Sequence, residues 1–304
     1  MEFETVCTGL EFPEGPIAMA DGSVILVEIK GGRLTRVLPD GTRETVAELG
    51  GGPNGAAIGP DGAVYVCNNG GFIWSERDGL AMPGGQPEDY TGGSIQRVDL
   101  ATGVVTTLYT EWEGRPLRGP NDIVFDAEGG FYFTDLGKHT PEFLHQGALY
   151  YALPDGSSIT RPAVPLMTPN GVGMAPDGSE VYVAETRTSR LWGFAVTGQG
   201  QLARPSGFRP GRLVTTLPDY QLLDSLAVQE NGAVCLATLM RGGISIVAHD
   251  TGAVEYIQFP GDPYITNICF GGADMRDAWI TASGTGTLYK VRWPYPGLRL
   301  NFNG

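Results

Sequence analysis

The sequence predicts an all-β fold: a six-bladed β-propeller of four-stranded antiparallel blades around a central tunnel, with residues 1–304 as one domain. Three observations point to it. One short phrase recurs six times, each copy places a turn between two strand-like runs, and no segment sustains a 3.6-residue apolar period, so helices should be few. The copies are "PEGPIAMADGSVILVE" (13–28), "PNGAAIGPDGAVYVCN" (53–68), "PNDIVFDAEGGFYFTD" (120–135), "PNGVGMAPDGSEVYVAET" (169–186), "LDSLAVQENGAVCLAT" (223–238) and "TNICFGGADMRDAWITAS" (266–283).

Each copy reads as a polar residue, a small residue, a short strand, a turn and a second strand. The turns are Asp21-Gly22, Asp61-Gly62, Glu128-Gly129, Asp177-Gly178 and Asn231-Gly232. Asp-Gly and Asn-Gly suit the positive φ angles of tight hairpins, and Glu128-Gly129 fits less well. The sixth copy departs, with the longer "GGADMRDA". Further strand pairs with their own turns lie between copies, such as "RLTRVLPDGTRETVAEL" and "GISIVAHDTGAVEYIQF". Two hairpins in a unit of roughly fifty residues make one propeller blade. A doubly wound α/β fold would need helical stretches between strands, and they are absent. Two units carry insertions, "GGFIWSERDGLAMPGGQPEDYTGG" with Trp74 and "LGKHTPEFLHQG" with His139. Gly- and Pro-rich loops of this kind gather on one face of a repeat fold and shape its binding site. The Pro-rich tail "RWPYPGLRLNFNG" is expected to pack across the outside.

Composition agrees with this architecture and removes several functions. The 46 glycines and 22 prolines, without a collagen period, suit many turns, and 41% hydrophobic residues can bury a full core. A net charge of -14 argues against nucleic acid and anionic membranes as partners, because phosphate binding needs clustered Lys and Arg. It is compatible with cation binding. Cys7, Cys67, Cys235 and Cys269 are scattered without a C-x-x-C pair, which disfavours a disulfide framework and a thiolate zinc site. The N-terminus shows no secretory pattern, and no apolar run approaches transmembrane length, so a soluble cytoplasmic protein is expected. A closed ring needs no partner to protect its sheet edges. A monomer or weak homo-oligomer follows.

The polar residue leading each copy carries the functional signal. In a propeller the first strand of each blade runs beside the axis, so its leading residue points inwards at one end. The six leads are Glu14, Asn54, Asn121, Asn170, Asp224 and Asn267, and all carry side-chain oxygen. A single Asn-Gly or Asp-Ser is a turn or cap more often than a ligand; coincidence at one phase of six repeats reverses that. Converging oxygens without partners would be costly. They suit a hard cation such as Ca²⁺, which takes six to eight oxygen ligands. The three histidines, His139, His145 and His249, lie outside the repeat phase.

These motifs resemble the SMP-30/gluconolactonase/luciferin-regenerating-enzyme family of six-bladed propellers, across almost the whole chain. "PEGP" at 13–16, "PNDIVFDAEGGFYFTD" and "PNGVGMAPDG" carry the likeness, and the third-repeat string and "YVAET" are similar to bacterial sugar lactonases. The resemblance implies one divalent cation held by Glu14, Asn170 and Asp224, with Ca²⁺ foremost and Zn²⁺, Mn²⁺, Mg²⁺ or Fe²⁺ also accommodated. It implies that Asn121 contacts substrate or a metal-bound water. Arg118 is the nearest match to an Arg that holds substrate hydroxyls in relatives, although its spacing to Asn121 varies among them. The fifth copy reads Leu223-Asp224-Ser225 where Pro-Asp-Gly is commoner.

Three ligands leave a hard cation with open positions for substrate. The resemblance then implies a metal-dependent lactonase that opens a sugar lactone, a small-molecule substrate, with Asp224 as both ligand and general base. Asp135 reads as a turn-capping residue, with a second structural calcium as its other role. His139 could reach the tunnel mouth. No G-x-S-x-G, H-E-x-x-H or P-loop competes. The alternatives are a phosphotriesterase of the diisopropylfluorophosphatase type and a non-catalytic binding propeller, for which Trp74 and Trp112 could form a surface patch.

Overall fold

The computed structural model describes residues 1–204 and 207–303. Every repeated copy forms the two inner strands of an antiparallel sheet, and in the first five blades the following segments add the outer two. The innermost strands are Pro13–Ala18, Pro53–Ile58, Pro120–Phe125, Pro169–Met174, Leu222–Val228 and Ile265–Gly271. Each packs against the next, and the sixth against the first, which closes a six-bladed propeller. The fourth blade carries an extra two-residue strand, Gln201–Leu202, beside Arg190–Gly198.

The ring is closed by the N-terminus. Phe3–Cys7 is the outermost strand of the sixth blade, paired with Thr287–Arg292, so the first and last segments of the chain share one sheet. Apolar side chains fill the spaces between blades. Six buried clusters form, one for each neighbouring pair; Ile17, Val27, Ile58 and Val66 join the first blade to the second, for example, and Ala18, Leu26, Trp279 and Leu288 join the sixth to the first. This is how a propeller buries strands on both faces without helices.

The turns differ in detail from the expected tight hairpins. Only the glycine has positive φ: Gly22 at 83°, Gly62 at 75° and Gly178 at 70°. The preceding Asp stays outside that region and instead accepts a backbone N–H two residues on, as Asp21 does from Ser23 (3.0 Å) and Asp177 from Ser179 (3.0 Å). At the poorer Glu128-Gly129 turn, Asp126 takes over, accepting from the Gly130 N–H at 2.9 Å.

The tail does not pack on the outside. Leu298 donates its N–H to the Val228 carbonyl (2.8 Å), Asn301 reaches the Phe125 carbonyl (3.1 Å), and the Phe302 ring meets Phe125 edge-on. It therefore crosses the far ends of the inner strands and borders an axial cavity lined by residues of all six, including Ile17, Phe125, Met174 and Phe270. Its leucines cover apolar ends that would otherwise face water.

Candidate active site and cation-binding ring

All six lead residues sit at the start of their inner strands, and each lies at or beside a break in strand register. The breaks fall between Glu14 and Ile17, Pro53 and Ala56, Pro120 and Ile123, Pro169 and Val172, Leu223 and Leu226, and Ile265 and Asn267. A register break close to the lead residue in all six strands locally interrupts the regular pleat there. The small residue after the lead allows close approach. A Cβ at Gly171 would lie 2.7 Å from the Asp224 carbonyl oxygen, and one at Gly55 would lie 2.5 Å from that of Asn121. The backbones carrying neighbouring lead residues thus nearly touch.

Glu14 is 1% exposed. Its Oε2 accepts from the Gly15 N–H and from Asn267 Nδ2, both at 2.6 Å. Its Oε1 is buried with no partner among the described residues, and so is Asn121 Oδ1. Asn170 Oδ1 receives only a long contact from Ser225 Oγ (3.5 Å), while its Nδ2 donates to Thr186 Oγ1 (3.3 Å). Asp224 is the exception in burial. The other five lead side chains are buried, whereas Asp224 keeps partial access to solvent.

The electrostatics are those of an anionic cluster short of positive charge. Burial drives the Glu14 carboxyl well above its usual range; the Asp224 charge adds to this and the Asn267 hydrogen bond opposes it. Desolvation pushes Asp224 up to about 7, against a hydrogen bond from Asn170, with the Asp122 charge also raising it. Among the described residues no Lys, Arg or His forms an ion pair with Glu14, Asp122 or Asp224. Nor do any three His, Cys, Asp or Glu side chains group as a metal site among them. A hard cation here would have to draw on amide as well as carboxylate oxygen. The unpartnered Glu14 Oε1 and Asn121 Oδ1 are oxygens of that kind, so the residues fit such an ion.

Asp122 was not singled out by its sequence. Its carboxylate accepts the Val172 N–H from the next blade (3.0 Å) and the Ile123 N–H (3.0 Å), and burial raises it to about 7. Thr134 Oγ1 donates to the Asn170 carbonyl at 2.5 Å. Together they hold the Asn170 bulge against the third blade. The available signal was a charge in "PNDIVF", where three sister copies have glycine (Gly15, Gly55 and Gly171).

Arg118 is exposed, three residues before Asn121, and its backbone is anchored rather than its guanidinium. Its N–H donates to Asp135 Oδ2 (2.7 Å), and its carbonyl accepts the Tyr90 hydroxyl. Asp135 also accepts from Gly119 (2.7 Å) and Gly137 (2.9 Å), the work of a loop cap. His139 is half-buried near Arg187, and burial and that charge lower its pKa. Trp112 packs edge-on against Tyr150, with Arg161 over its face at 4.0 Å.

The long insertion of the second blade surrounds one side of the ring. Its hairpin, Trp74–Arg77 with Leu80–Pro83, sets Trp74 against Phe12 at 5.0 Å between centroids, two residues from Glu14. Ala81 donates to the Gly284 carbonyl in the sixth blade (2.9 Å), and Gln86 to that of His139 in the third (3.1 Å).

Fold and ring together define a six-bladed propeller with an oxygen-rich axial site, and known proteins place it further. The sequence profile described as the SMP-30/Gluconolactonase/LRE-like region matches residues 12–284, and the chain belongs to that family. It is 27% identical over 257 residues to the lactonase drp35 of Staphylococcus saprophyticus, covering 82% of this chain and 70% of that protein. The gluconolactonase of Zymomonas mobilis is 24% identical over 298 residues, covering 88% and 75%. Among solved structures, a gluconolactonase from Xanthomonas campestris superposes with a TM-score of 0.74 at 24% identity, covering 96% of this chain and 89% of that one. A calcium-binding protein, regucalcin, from Agrobacterium tumefaciens superposes at 0.70 and 17% identity, covering 98% and 99%.

Proposed function

We propose that this protein is a divalent-cation-dependent lactonase that hydrolyses a sugar (aldono-) lactone to the sugar acid. One observation carries the reading: the carboxyl of Asp224, a partly exposed residue, acts electrostatically on the buried carboxyl of Glu14, whose Oε1 has no partner among the described residues. Lactonase and gluconolactonase relatives support the reaction class, and the regucalcin likeness supports calcium.

Glu14, Asn170 and Asp224 would hold the ion. A divalent cation there supplies a Lewis acid for the lactone carbonyl oxygen. Asp224 would accept a proton from the attacking water as general base. The water oxygen bonds to the carbonyl carbon, the ring C–O ester bond breaks, and the departing ring oxygen takes up a proton as a hydroxyl. The new carboxylic acid ionises, so each turnover releases one proton. Asn121 orients the substrate or the water through its free Oδ1, and Arg118 supplies donors for sugar hydroxyls. A cytoplasmic location and a monomeric or weakly associated state belong to the same proposal.

The test is proton release in a pH-stat with a panel of aldonolactones and one phosphofluoridate, before and after chelation, with single cations added back. Chelator-sensitive opening of a lactone, restored by one cation, is expected. Turnover of the phosphofluoridate alone would favour a phosphotriesterase. No acceleration of either substrate class would leave a binding propeller.

A further inference from the structure

Lys138, one of three lysines in the chain, is 2% exposed in the third-blade insertion. Its Nζ donates to the Gly71 carbonyl at 2.5 Å and to Asn69 Oδ1 at 3.3 Å. It also lies over two aromatic faces, Phe72 at 4.2 Å and Tyr90 at 5.3 Å from the ring centroids. No carboxylate pairs with it among the described residues. Burial pushes the ammonium down to about 7, with the Asp135 charge opposing. The carbonyl and ring faces replace part of the hydration it has lost. All four contacts belong to the end of the second-blade inner hairpin or to its insertion. One side chain from the third blade therefore grips the insertion at both ends, through Gly71 and Phe72 on one side and Tyr90 on the other.

What it grips borders the site. The insertion approaches the strand entries of four consecutive blades: Gly284 in the sixth, Phe12 in the first, Gly52 in the second, and Arg118 in the third. These last three lie two or three residues before Glu14, Asn54 and Asn121. At the same level the fourth and fifth blades carry the connections 186–189, 217–221, 240–242 and 259–264, and no strand hairpin is inserted in them among the described residues. The insertion is thus a horseshoe, open towards Asp224.

We propose that Lys138 is a positioning residue that clamps this horseshoe to the third blade and thereby sets the opening through which a lactone reaches Asp224. The clamp follows from the contacts alone, whereas its effect on substrate rests on the lactonase reading. Lys138→Met keeps the stem and removes the charge. Without the clamp, amide hydrogen exchange at Ile73, Ala81, Gly84 and Gln86 should accelerate about tenfold, as loss of a desolvated cation–π contact implies, while amides of the fifth blade are unchanged. KM for the best lactone should rise by about the same factor with kcat held within about twofold, because Glu14 and Asp224 are untouched.

Phe72→Leu, a milder change, should loosen the same amides, and the double variant should add little to Lys138→Met alone. Should Lys138→Met fail to fold, Phe72→Leu alone decides. Unaltered exchange in the insertion overturns the clamp. Faster exchange with unmoved KM, or a loss confined to kcat, overturns the positioning role. If the wild-type protein opens no lactone, the lactonase reading falls, and the exchange measurement still decides the clamp.

Discussion

Asp224→Asn is expected to lower lactone turnover by about 10³-fold, within the range that removal of a general base produces. The substitution keeps size and shape, and an amide oxygen can still accept the Asn170 hydrogen bond. It removes the carboxylate of the one partly exposed lead residue, the proposed proton acceptor. Because Asp224 is also a proposed ligand, cation binding must be measured in parallel. A variant that still binds the ion but no longer turns over assigns the proton transfer to Asp224. Turnover at the wild-type rate would remove it from the mechanism.

Glu14→Gln should weaken divalent cation binding about 100-fold or more, at the upper end of what even outer-shell changes to metal sites cost. The reason is directional. Two donors, the Gly15 N–H and Asn267 Nδ2, hold Glu14 Oε2. A glutamine must keep its oxygen on those donors, so its NH₂ group takes the place of the unpartnered Oε1. A donor would then face the ion. Titration calorimetry reads this directly, and unchanged calcium affinity would take Glu14 out of the ligand set.

The fold was legible because its evidence is local and repeated. Five Pro- or Leu-led copies share a turn glycine, all six share a leading oxygen, and no long-range knowledge is needed to align them. The closing strand was not legible. "FETVC" contains neither turn nor repeat, and its pairing with Thr287–Arg292 joins opposite ends of the chain. The same limit hid Asp122 and Lys138. Their partners, Val172 and Gly71, lie in adjacent blades, fifty and sixty-seven positions away. The tail looked like an outer wrapping because proline-rich ends carry no signal for which surface they cover. The axial cavity that it borders exists only once the ring has closed.

The candidate ring was legible in membership but not in character. That Glu14, Asn170 and Asp224 lead their strands is visible in the sequence. That register breaks accompany them, that Glu14 keeps one oxygen without a partner among the described residues, and that Asp224 alone of the six is partly exposed are consequences of packing.

The most direct test of the central claim is diffraction from crystals grown with Ca²⁺ and with Mn²⁺, using the anomalous signal of Mn²⁺ to locate the ion. The account predicts one peak in the ring, bonded to Glu14 Oε1, Asn170 Oδ1 and the Asp224 carboxylate at about 2.1–2.6 Å. A ring without an ion at saturating cation, or an ion bound only elsewhere, would contradict it.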